Sequence, residues 1–132
     1  MSHDLQFYID GAWVEPLAPR TLEVINPATE EPIGRISLGS AADLDRAVAA
    51  ARRAFETFST TSREARVALL ERIGAAYEAR LADLAAVISR EMGAPMWLAK
   101  AAQAPAGLAH FKQAVAILRD YDFSEQRGTT RI

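Results

Sequence analysis

Four prolines, Pro16, Pro19, Pro27 and Pro32, fall before residue 40. Proline fixes its own φ and donates no backbone N–H, so a long helix cannot propagate through this region. The first forty residues are therefore read as strands and turns. Leu5 to Val14 mixes Phe7, Tyr8, Ile9, Trp13 and Val14 around Asp10-Gly11, a dipeptide that favours a tight hairpin turn. A second pair of strands is predicted from Leu22-Glu23-Val24-Ile25 and from the run Ile33 to Leu38, with Asn26-Pro27 opening the turn between them. Hairpins are thus expected over residues 5–38.

The pattern changes at Ser40, a good helix N-cap with Asp43 at the acidic third position, a variant of the capping box. Leu44, Val48, Ala51, Phe55 and Phe58 recur at three- and four-residue spacing and predict an amphipathic helix of about 18 residues. Thr61 with Glu64 predicts a second capped helix whose apolar face is Val67, Leu70, Ile73 and Tyr77. A break is expected near Arg80, followed by a helix carrying Leu84, Val87, Ile88 and Met92 and ended by Gly93 with Pro95 beyond it. A last helical region runs from Met96 to Asp120, kinked or divided at Pro105. Helices therefore span about 41–120. Tyr121-Asp122-Phe123 alternates like a strand, and Gly128 marks a turn before the terminal residues, so a terminal strand is expected over about 121–132. The chain stops at Ile132 without a cap or closing feature, and continuation past it is expected.

Half of the 132 residues are hydrophobic, but alanine supplies much of that share, so the core should consist of close, shallow helix contacts. Acids and bases are interspersed and the formal net charge is −2, which argues against a nucleic-acid partner. There is no cysteine, which excludes disulfides, thiolate metal sites and a cysteine nucleophile within these residues. No secretory leader is visible, and no apolar run reaches the roughly 18 residues of a membrane span, so no membrane partner and a cytoplasmic location are expected.

The possible chemical motifs are weak. Gly34 to Gly39 followed by Ser40 resembles a phosphate-binding loop but lacks its lysine, and no Gly-x-Gly-x-x-Gly occurs. Two turn glycines leading into a helix cap explain it. His3 and His110 have no second histidine at ligand spacing, so no metal site is expected. Asp43 and Asp45 lack the glycine and distal glutamate of a calcium loop. Glu30 and Glu31 read as solvated turn charges, and Arg63, Arg66, Glu64 and Glu71 as an exposed face with intrahelical pairing. No catalytic, cofactor-binding or metal-binding residue is assigned.

Four ordered blocks together resemble the aldehyde dehydrogenase superfamily. They are Phe7-Tyr8-Ile9-Asp10-Gly11-Ala12-Trp13; Asn26-Pro27-Ala28-Thr29-Glu30-Glu31; the run Ala42 to Phe55; and Arg66 with Leu69-Leu70, Leu84-Ala85 and Glu91-Met92-Gly93-Ala94-Pro95. Glu30 stands where the family commonly has glycine, which bears on the geometry of that turn. The resemblance implies that residues 1–132 are the N-terminal portion of the NAD(P)-binding domain, with the catalytic domain absent. The fold it implies is α+β as a fragment, N-terminal β-hairpins followed by an alanine-rich helical layer, normally part of an α/β nucleotide-binding domain.

The function implied by the resemblance belongs to the parent enzyme: oxidation of an aldehyde to a carboxylic acid through a cysteine thioester, with NAD or NADP as cofactor. The resemblance also implies a homo-oligomer. Without the cysteine, this chain alone is expected to be inactive and to bind no cofactor well. The alternative reading is a non-catalytic helical interaction module.

Overall fold

The structure, a computed structural model, describes residues 3–131. Strands β1 (Phe7–Ile9) and β2 (Ala12–Val14) pair antiparallel, with Tyr8 opposite Trp13. Asp10 and Gly11 join them with φ of 57° and 78°, the two left-handed residues that a two-residue hairpin turn needs. Strands β3 (Thr21–Ile25) and β4 (Pro32–Ser37) form a second antiparallel pair, irregular between Val24 and Ile25. The turn between them closes on Asn26, whose side chain accepts from the Ala28 N–H and whose carbonyl accepts from the Glu30 N–H at 2.7 Å. Glu30 sits at φ 60°, so the residue in the family's glycine place adopts a glycine conformation despite its β-carbon. The Ser37 hydroxyl donates to the Leu5 carbonyl and ties the two hairpins together.

Helix α1 (Ala41–Phe58) begins at the predicted cap, where the reciprocal Ser40–Asp43 bonds form. Its buried positions, Asp43 and Ala50, face the hairpins. The predicted stripe is not buried: Leu44, Val48, Phe55 and Phe58 are exposed, Phe55 by 61%.

Helix α2 (Arg63–Glu78) is capped by Ser62, whose hydroxyl accepts from the Ala65 N–H, and not by Thr61. The Thr61 hydroxyl is already committed, donating to the Phe58 carbonyl and accepting from Arg66. Val67, Leu70 and Tyr77 are half-buried as expected, but Ile73 is exposed and the buried position is Gly74. The chain breaks at Arg80 and continues as α3 (Leu81–Met92). Here Leu84 and Ile88 pack inward as expected, while Val87 and Met92 are exposed. Alanine explains the difference: Ala85, with Ala99 and Ala104, is almost completely buried and forms the core cluster. A small side chain lets helices approach closely, and the larger neighbours then pack around the contact. Gly93 ends α3 at φ 68°, as predicted. A β-carbon there would also lie 2.8 Å from Pro27 Cγ, so this cap is where the second hairpin touches the helices.

The last helical region is continuous over Met96 to Asp120 but not uniform: α4 (Met96–Leu98), a π turn (Ala99–Gln103) and α5 (Ala104–Asp120). The expected disturbance at Pro105 takes the form of this π turn. Proline cannot donate to the carbonyl four residues back and its ring crowds it. The widened turn precedes the proline, and the Ala104 N–H reaches the Ala99 carbonyl, five residues back.

Helix α5 runs antiparallel to α2. Gly74 faces Leu108 and Phe111, and Gly107 faces Tyr77, whose hydroxyl donates to the Ala104 carbonyl at 3.0 Å. Beyond α5 there is no strand at Tyr121 to Phe123. These rings pack edge to face, and Phe123 lies 5.4 Å from the Arg63 guanidinium. The terminal pairing is a short hairpin of β5 (Gln126–Arg127) and β6 (Thr130–Arg131), turned at Gly128 with φ 61°. Ile132 lies outside the described residues. Over the described residues the architecture is a small α+β arrangement of three separate two-stranded hairpins and an alanine-centred helical layer.

Candidate functional site

The N-terminus of α1 is the place where a phosphate-binding reading would have to hold, since unpaired N–H groups at a helix start attract anions. It is occupied by a side chain of the protein itself. Asp43 Oδ2 accepts from the Ser40 N–H at 2.9 Å and the Ser40 hydroxyl at 2.6 Å, while Oδ1 accepts from the Leu17 N–H at 2.9 Å. The Ser40 hydroxyl bond, then the Leu17 and Ser40 backbone bonds, hold the Asp43 carboxyl below its ordinary value. Gly39 and Ser40 therefore lead into a self-filled cap. Asp45 is exposed on the same helix and takes no part.

His3 stacks on Trp13 with ring centres 4.2 Å apart and contacts the Gln6 side chain, and His110 is exposed on α5. Among the described residues, no three His, Cys, Asp or Glu side chains are placed to share a metal ion. Glu30 and Glu31 are exposed in their turn.

The charged face of α2 differs from the expected intrahelical pairing. Arg63 donates to the carbonyls of Arg119 and Tyr121, at 3.0 and 2.6 Å, where α5 ends. Arg66 donates to the carbonyls of Phe58 and Ser59, at 3.3 and 2.8 Å, where α1 ends. Helix C-termini leave carbonyls without intrahelical donors, and a guanidinium can serve two at once. Glu71 pairs with Arg119 and Glu78 with Lys112, both across to α5. Glu64 stays at the helix start, its carboxyl lowered by its own backbone N–H and then by Ser62. Sequence spacing showed the charges, but not that Arg63 and Glu71 reach partners about fifty residues away at the end of α5, nor that Arg66 turns back to the end of α1.

The α2–α5 seam opens into a cleft of about 380 Å³ with Leu70, Gly74, Leu108, Phe111 and Val115 on its walls. The two ion pairs stand at its rim. The glycine-bearing strand–turn–helix that is present, β4–Gly39–α1, leads into the cap that Asp43 bonds, and the described strands pair as antiparallel hairpins and not as the parallel sheet of a dinucleotide fold. No helix among the described residues is long and apolar enough to cross a membrane.

The arrangement displays apolar surface on α1 and along the α2–α5 seam. A profile of the aldehyde dehydrogenase family matches residues 13–130. The chain belongs to the aldehyde dehydrogenase family, whose members are oxidoreductases acting on aldehydes. It is 56% identical over 128 residues to a 3-succinoylsemialdehyde-pyridine dehydrogenase of a Pseudomonas species, covering 96% of this chain and 27% of that protein. The fold superposes with a TM-score of 0.94 on an aldehyde dehydrogenase C variant from Pseudomonas syringae, solved with NAD+ and octanal, at 45% identity and covering 98% of this chain and 27% of that one. Betaine aldehyde dehydrogenase from Staphylococcus aureus, solved with NAD+, gives a TM-score of 0.87 at 30% identity, covering 96% and 26%. The chain spans about a quarter of the length of these relatives and corresponds to an N-terminal part of the family fold.

Proposed function

We propose that this chain is the hairpin-and-helix layer that precedes and packs on the nucleotide-binding sheet of an NAD(P)-dependent aldehyde dehydrogenase, and that it is inactive alone. The observation that carries the reading is the outward stripe of Leu44, Val48, Phe55 and Phe58 on α1, in a chain matched to the family over most of its length. Apolar side chains at helical spacing that stay largely exposed suit a layer that packs on something further. In the whole enzyme an aldehyde is oxidised to a carboxylic acid through a cysteine thioester. That step cannot occur here, because these 132 residues contain no cysteine.

NAD or NADP serves the whole enzyme and is held by residues other than these. The NAD+ bound by the Pseudomonas syringae and Staphylococcus aureus proteins supports the choice of cofactor class. No residue of this chain is assigned to catalysis, cofactor or metal. The whole enzyme is further proposed to be a cytoplasmic homo-oligomer.

Two measurements test the reading. The purified chain, mixed with NAD+ or NADP+ and a panel of aldehydes, should generate no reduced cofactor; sustained turnover would overturn the inactivity. Residues 1–132 exchanged for the corresponding part of the Pseudomonas syringae enzyme should give a soluble chimera that still oxidises octanal. A chimera that folds and binds NAD+ but tolerates deletion of the exchanged segment without loss would remove the structural role.

A further inference from the structure

We draw no further inference here: the strongest candidate, the exposed apolar stripe of α1 from Leu44 through Val48 and Phe55 to Phe58, carries nothing because nothing in the structure shows what covers it.

Discussion

The ring of Tyr77 fills the space that a β-carbon on Gly107 would need. Such an atom would fall 2.6 Å from Tyr77 Cζ, while the Tyr77 hydroxyl donates to the Ala104 carbonyl one turn earlier on α5. One aromatic side chain thus sets how closely the two helices approach and also satisfies a carbonyl beside the π turn.

Gly107→Ala should therefore destabilise the chain by about 1–3 kcal/mol, the usual cost of forcing a group into packed space. Tyr77→Phe removes only the hydrogen bond and should cost about 1 kcal/mol. Urea unfolding of both single variants, of Tyr77→Leu alone, and of Gly107→Ala in the Tyr77→Leu background checks the relationship. Additive losses in the double variant would mean the two residues do not oppose each other.

Glu30 holds a left-handed backbone without being glycine. Glu30→Gly should raise the unfolding midpoint, because the relief of roughly 1–2 kcal/mol for a side chain in that conformation outweighs the added freedom of the unfolded chain. Glu30→Val should lower it, since a branched β-carbon suits a left-handed conformation worst. The order Gly above Glu above Val in denaturation midpoints is the expected result.

Asp43 gives the fold an acid limit. Its folded carboxyl titrates below the ordinary value of 3.8, led by the Ser40 hydroxyl bond and then the Leu17 and Ser40 N–H bonds. The sign follows from linkage: a depressed folded pKa contributes stability that is complete above the unfolded value and is lost as pH falls through the folded one. Stability measured from pH 7 downward should show this loss below about pH 4. Asp43→Asn should start less stable at neutral pH and show a shallower acid limb.

Arg63 reaches the end of α5 from the start of α2. Arg63→Met keeps much of the aliphatic stem but removes the donors to Arg119 and Tyr121 and the cation over Phe123. Hydrogen exchange at the backbone amides of residues 117–121 should accelerate in this variant, with the α2 amides changing less. Equal acceleration along both helices would indicate loss of packing and not of a cap.

Local rules made much of the fold legible. Asp10-Gly11, Ser40 with Asp43, and Gly93 each determine their backbone through atoms within a few residues, and each appears where the pattern puts it. What escaped was settled at a distance. Ser62 and Thr61 are adjacent hydroxyls, and the choice between them depends on Arg66 having engaged Thr61. The inward positions Gly74 and Ala85 were hidden because periodicity weighs side-chain size, whereas closely approaching helices select its absence. For the candidate site, the missing cysteine was plain in the composition. That Asp43 fills the N-terminus of α1 depended on a bond to Leu17, 26 residues away.

The π turn at Ala99–Gln103 acts as a correction of phase. A helix advances about 100° per residue, so one residue taken up in a wider turn re-aims everything that follows. Where the turn begins, Ala99 looks into the alanine cluster beside α3; one turn beyond it, Leu108 looks toward Gly74 on α2. An unbroken α-helix of the same length would turn everything after the bulge by about 100° and could keep either bearing but not both. The five residues around the bulge thus let a single rod serve two neighbours that lie on different azimuths.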